Sequence, residues 1–253
     1  MNNINTRITP PPLDTHLPAD STSDVTPHSR KKRGVALESK TWPQHSTVRI
    51  SLLNMTDEQK ITIKKGINEW IPHTNLHFKF VNRDDGDIRI SAGTASQGSW
   101  SEIGTDALHR APSEPTMYIN FNNFDDEVQA DIVHEFGHAL SLVHEHQHPQ
   151  RSLTFNEKAT YEHFEKRDFE EHEVHREVLG QFDPSEVKTS KYDKSSIMHY
   201  YIPASLLTDG EEVPFPTKLS DGDIKFVKTL YPRDHSLAGK FLYTFTQFIV
   251  SRS

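Results

Sequence analysis

Between Asp125 and Val143 the chain places apolar residues at Val128, Ile132, Phe136, Ala139, Leu140 and Val143. At about 100° per residue these fall in one arc roughly 120° wide, the pattern of an amphipathic helix with one face in a core. His134 and His138 project from the opposite side, one turn apart. Two imidazoles so placed offer two nitrogens to a single point in a cleft.

The residues there are His134-Glu135-Phe136-Gly137-His138. Zinc takes imidazole ligands at about 2.0–2.1 Å, and the intervening Glu135 can reach a water on such an ion. A five-residue pattern of this kind also arises by chance, with both histidines solvated or satisfied in a core. Here a third imidazole, His144, follows six residues after His138. Bringing it to the same ion requires the chain to turn off the helix. The extended HExxHxxxxxH spacing is that of the metzincin motif, which has glycine three residues after the second histidine. Ser141 stands there instead. If the turn needs a positive φ, serine costs about 1–2 kcal/mol relative to glycine.

Composition narrows the chemistry further. The 253 residues contain no cysteine, which excludes disulfides, thiolate-bound zinc, iron–sulfur clusters and thiol nucleophiles. A metal must be held by histidine and carboxylate. With 28 Lys and Arg against 36 Asp and Glu, a net charge of −8, a nucleic-acid partner is not expected. The longest uncharged apolar stretch, Phe241 to Val250, is about half of the roughly 20 residues that cross a bilayer, so no membrane span is expected. The N-terminus lacks the basic-then-apolar pattern of a secretory signal.

Residues 1–33 hold five of the 15 prolines and no apolar periodicity, and read as a disordered Pro/Ser/Thr-rich tail. The tail ends in Arg30-Lys31-Lys32-Arg33, which reads as a solvated linker edge, a processing site or a nuclear localisation patch. A folded domain is expected over 34–235. Its first half predicts a strand at Thr47–Leu52, then a helix opened by the capping box Thr56-Asp57-Glu58-Gln59 and stopped by Pro72. Short strands are expected at His77–Val81, Asp87–Ser91 and Met117–Phe121. Tyr161 to His175 reads as a solvated helix with mixed charges or, alternatively, an acidic rim that selects substrate. His146 and His148 are expected outside the metal's own ligands or on the surface, and His199 packed or hydrogen-bonded. Residues 236–253 form an aromatic extension that covers the domain's own core or, alternatively, meets a membrane or partner.

The run from His134 to His146 resembles the zinc-binding consensus of the astacin-like metzincin proteases, and Ser196-Ile197-Met198-His199-Tyr200 resembles their Met-turn. Gly98 to Gly104, Trp42-Pro43 and Leu219 to Pro232 match the family more loosely. The resemblance spans about residues 34 to 233. It implies one Zn²⁺ per chain held by His134, His138 and His144, with Glu135 as general base and later proton donor. Met198 would floor the metal site, and Tyr200 would serve as a further ligand that swings aside to bind the developing oxyanion. Ser99, Trp100, Ser101 and Glu102 would form the edge that receives an extended peptide. Glu145 would meet a new N-terminus, here one freed by cleavage after Arg33.

The fold class expected is α+β: a two-lobed metzincin-type zincin with a mixed twisted sheet, an active-site helix and a mostly irregular or helical C-terminal lobe. The function expected is a zinc-dependent endopeptidase acting on proteins or peptides, monomeric, and a secreted bacterial effector or toxin that leaves the cell without a recognisable signal peptide. The alternatives are a non-catalytic, zinc-bound peptide-recognition protein and a cytoplasmic location.

Overall fold

A computed structural model describes residues 34–93, 98–122 and 125–233. The tail expected over 1–33 and the extension expected over 236–253 lie outside the described residues. In chain order the elements are β1 (Val35–Ala36), β2 (Thr47–Leu53), α1 (Asp57–Trp70), β3 (His77–Val81), β4 (Ile88–Gly93), β5 (Trp100–Ser101) and β6 (Met117–Asn120). They continue with α2 (Asp125–Ala139), α3 (Glu157–Glu165), α4 (Glu171–Val174), β7 (Lys188–Thr189) and α5 (Asp221–Leu230).

Five strands form one sheet in the order β3-β2-β4-β6-β5. The first four run parallel and β5 is antiparallel to β6, so among the described residues β5 is an edge with one side open. The Thr56 hydroxyl accepts from Gln59 N and the Gln59 side chain accepts from Thr56 N, which completes the capping box that starts α1. Helix α1 buries Ile63, Ile67 and Trp70, and the Trp70 indole donates to Val133 O of α2 at 2.9 Å. Truncating so deeply buried a tryptophan costs about 3–5 kcal/mol, which makes this contact a main anchor of α2 on the domain.

The described residues gather into two principal apolar cores. One lies between the sheet and helices α1 and α2, and includes Ile50, Ile90, Ile119, Phe136 and Met198. The second gathers Leu153, Phe155, Phe164, Val174, Ile202, Leu207 and Val213 beneath it. This is the α+β, two-lobed architecture expected, with the sheet and α2 above and a more helical, irregular lobe below. A small third cluster, Val35, Leu37, Ile103, Val143 and Val187, forms where β1 threads between the post-helix turn and β7.

The strands fall within two residues of their expected bounds, but two helical segments differ by more. Helix α2 ends at Ala139 and does not run on to Val143. Ser141 takes φ 73°, and Ser141 N and Leu142 N turn back to donate to His138 O and Gly137 O. Leu140, the last residue before the turn, and Val143, beyond it, keep helical spacing because both are buried. The segment Tyr161–His175 is likewise broken between α3 and α4, where Asp168 adopts φ 63°. A left-handed residue ends a right-handed helix whatever the charge spacing on either side.

Candidate active site

The turn at Ser141 aims His144 at the helix it has just left. The coordinating nitrogens of His134, His138 and His144 all lie within 4.8 Å of one another. Ring centroids stand 4.9 Å apart for His134–His138 and 4.6 Å for His138–His144. Ser141 holds the turn by donating its hydroxyl to Lys40 O at 2.7 Å, so the side chain that replaces glycine gains a bond as it incurs strain.

The backbone fixes two of the three rings. His134 Nδ1–H donates to Ile197 O at 2.7 Å, and His138 Nδ1–H donates to Leu142 O at 2.9 Å. Each donation leaves a lone pair on the Nε2 of the same ring. Burial lowers the His134 pKa to about 4. Burial, then the neighbouring His134, lowers His138 to about 3. Burial and the surrounding imidazoles push His144 well below the ordinary histidine value. All three rings are therefore neutral near pH 7.

His138 Nε2 and His144 Nε2 stand 3.0 Å apart. Ligands about 2.0–2.1 Å from a tetrahedral zinc stand about 3.3 Å from each other, so the pair has nearly that separation already. The Nδ1 of His144 is buried without a hydrogen-bond partner among the described residues, so a cation on Nε2 would be what fixes its tautomer. Three neutral, convergent imidazoles and no sulfur make a donor set that fits zinc.

Around this cluster sit the other residues singled out from the sequence. Glu135 is 7% exposed, and burial, with the Asp131 carboxylate second, raises its pKa well above the ordinary carboxylate range. The half-buried Tyr200 ring lies 4.2 Å from His144 and 5.9 Å from His134, centroid to centroid. Burial raises its hydroxyl pKa, with the Glu135 and Glu177 charges adding to the effect. Met198 is buried in the upper core and meets Gly137 of α2. Glu145 is buried, its amide donates to Met198 O and its Oε1 accepts from Asp193 N at 2.7 Å.

The edge residues divide. Trp100 and Ser101 form β5, with the Trp100 ring 5.1 Å from Tyr118 and the Arg110 guanidinium over it at 5.5 Å. Ser99 is committed inward, donating to Asp131 Oδ2 at 2.8 Å and accepting from Asn120 N. Glu102 is 5% exposed and paired with Arg110 at 2.6 Å, so its carboxylate is buried in an ion pair. His146 and His148 are not on the surface: both are buried, His146 stacked 4.8 Å from Tyr200 and His148 bonded to Ser190 O. His199 is both packed and bonded, its Nδ1 donating to Tyr200 O and its Nε2 accepting from Tyr192.

Sequence reading missed Asp223, whose carboxylate binds the Met-turn from α5, and Asp131, which lies near enough to Glu135 to raise its pKa. The capping box Ser220-x-x-Asp223 was the available signal for the first.

The comparisons agree with this geometry. The model of the peptidase family Astacin matches residues 34–210. The chain is similar to the structure of myroilysin, at 31% identity and a TM-score of 0.75, over 79% of this chain and all of that one. It shares the fold of high choriolytic enzyme 1, a hatching-enzyme zinc protease from Oryzias latipes, at 21% identity and a TM-score of 0.52, over 77% of this chain and 95% of that one. It is 23% identical over 218 residues to astacin-like metalloprotease toxin 2 of Loxosceles intermedia, covering 79% of this chain and 77% of that protein. The family match over residues 34–210 and the likeness to myroilysin, with the histidine triad in place, make this chain a member of the astacin family of metzincin zinc metalloproteases.

Proposed function

We propose that the protein is a zinc-dependent endopeptidase in which His134, His138 and His144 hold the metal. The single observation that carries this reading is the convergence of three neutral imidazole nitrogens within 4.8 Å. A zinc ion bound there would polarise the scissile carbonyl and lower the pKa of a coordinated water toward ~7.

The chain's own residues supply the rest. Glu135, set between the two helix histidines, takes a proton from the attacking water and returns it to the departing amine. Tyr200 donates its hydroxyl to the carbonyl oxygen as negative charge builds there, and the ring contacts with His144 and His146 restrict where that hydroxyl can go. Substrate lies extended along β5, bonded through main chain to the open edge. With Ser99 and Glu102 bonded within the domain and Ser101 buried, its hydroxyl donating to Glu102 O, Trp100 is the edge side chain left to meet it.

Hydrolysis of a generic protein substrate, with and without a zinc chelator and alongside Glu135→Ala, tests the reading. Wild type should cleave only with metal, and the variant should bind zinc yet cleave at least a hundredfold more slowly. If both bind zinc and neither cleaves any member of a broad peptide library, the protein is a peptide-recognition module.

The biological setting we propose is release from the producing cell to act on proteins of another, supported by the likeness to a protein named as a toxin. Immunodetection in culture medium against cell lysate decides it, and protein confined to the lysate removes it.

A further inference from the structure

Asp223 is the third residue of α5, far along the chain from the histidines, and is 1% exposed. Its Oδ1 accepts from the Ser196 hydroxyl at 2.6 Å, and its Oδ2 accepts from Ile197 N at 2.9 Å and Ser220 N at 2.8 Å. The carbonyl of that same Ile197 receives the Nδ1–H of His134 at 2.7 Å. Ser196 is bound a second time, its oxygen accepting from Met198 N at 3.0 Å. One carboxylate thus grips two consecutive residues of the Met-turn, and the peptide unit beyond them aims an imidazole.

We infer that Asp223 is a positioning residue for His134: through Ile197 it sets the direction in which the His134 ring presents its coordinating nitrogen. The inference rests on the zinc reading above. A metal-binding imidazole is oriented by the bond its other nitrogen makes, and the partner of that bond must itself be held. The Ile197 carbonyl shares a peptide plane with Met198 N, which donates to the Ser196 hydroxyl that Asp223 Oδ1 holds, while Asp223 Oδ2 fixes Ile197 N on the other side, so turning that carbonyl away from His134 breaks a bond anchored on the buried carboxylate.

The competing role for Asp223 is helix capping. Ser220 Oγ accepts from Asp223 N at 3.0 Å while Asp223 accepts from Ser220 N, a complete capping box. The two roles demand different side chains. A capping box takes glutamate at this position readily. A positioning contact does not, because one more methylene moves the carboxylate by about 1.5 Å. Asparagine caps less well but keeps an oxygen at the right reach for Ile197 N.

The test is the affinity of the full chain for Co²⁺, measured by competition with a chelating dye, with the thermal midpoint of each metal-free protein beside it. The set is wild type, Asp223→Asn, Asp223→Glu and Ser220→Ala. Asp223→Asn should bind within about threefold of wild type, and Asp223→Glu about tenfold or more weakly, with a changed Co²⁺ absorption band. Ser220→Ala should melt earlier yet bind within about threefold, since it leaves the Ile197 contact intact. Wild-type affinity in Asp223→Glu, equal losses in the Asn and Glu variants, or affinities that simply track melting temperature would each overturn the inference. Should Asp223→Glu fail to fold, Asp223→Ser replaces it: its short hydroxyl leaves Ile197 N unmatched, the same tenfold loss is expected, and wild-type affinity overturns the inference equally. Failure of wild type itself to bind Co²⁺ removes the zinc reading and this inference with it, an outcome distinct from the others.

Discussion

A β-carbon on Gly137 would stand less than 3.0 Å from the sulfur of Met198. The helix that carries His134 and His138 therefore rests directly on the Met-turn, backbone against thioether. The glycine inside HEFGH is required by this close approach and not by any turn, since α2 continues through it to Ala139.

Gly137→Ala should accordingly destabilise the protein although alanine is the better helix former. The propensity gain is about 1 kcal/mol, against about 1–3 kcal/mol for overpacking, so a net loss near 1 kcal/mol is expected by denaturant melts. Adding Met198→Ala should recover part of it, a coupling that a double-mutant cycle reads directly. A fully additive cycle would show that the two residues do not meet.

Ser141→Gly should be close to neutral. Glycine removes the strain of φ 73° at a non-glycine residue, worth about 1–2 kcal/mol. It also removes the bond to Lys40 O, worth about 0.5–1.5 kcal/mol, and loosens the unfolded chain. A change within about 1 kcal/mol in chemical denaturation is the expected result. A large gain would mean that the hydroxyl contributes nothing to the turn.

These two residues show what could be read in advance and what could not. The three histidines, Glu135 and the Met-turn were legible because each motif is local, and the amphipathic spacing of Ile63, Ile67 and Trp70 located α1. The end of α2 was not, because Leu140 and Val143 are buried for a tertiary reason that mimics helical period. The burial of Glu102 depends on Arg110, and the grip of Asp223 on Ile197 depends on α5 packing back onto the upper core. Periodicity carries no information on contacts of that range.

Tyr200→Phe should separate catalysis from metal binding. The three imidazoles remain, so zinc affinity should stay within a few fold. Loss of the donated hydroxyl should lower kcat by about 10²–10³ with little change in KM, the signature of an interaction made only in the transition state. Equal kcat values in a steady-state peptide assay would remove Tyr200 from the chemistry.

Asp223 should leave a mark on stability against pH. Burial raises its pKa from 3.8 to about 6, although Ser196, Ile197 and Ser220 bonds oppose the rise. The folded state therefore holds this proton more tightly than the unfolded one. The contribution is fully present below pH ~4 and is lost as pH rises through ~6, a swing on the order of 2–3 kcal/mol. In metal-free protein, wild type measured against Asp223→Asn should thus gain relative stability as pH falls from 7 to 4. A flat difference would place the Asp223 pKa at its ordinary value.

A chain beginning at Gly34 should be more active than one retaining residues 1–33. Gly34 is buried, takes φ 145°, and leaves no room for a β-carbon beside the Phe226 ring. Its amide donates to Lys191 O at 3.2 Å, and two residues on, Asp193 N donates to Glu145. A terminal amine freed at Gly34 would thus emerge beside the loop that Glu145 holds, where a buried carboxylate next to the third histidine favours a cation. Settling of that amine would tie the start of the domain to the Met-turn through Glu145, whose amide also binds Met198 O. Glu145→Gln should then abolish the advantage of the shortened chain while leaving the longer one little changed. Equal peptide-hydrolysis rates for the two lengths would mean that removal of residues 1–33 activates nothing.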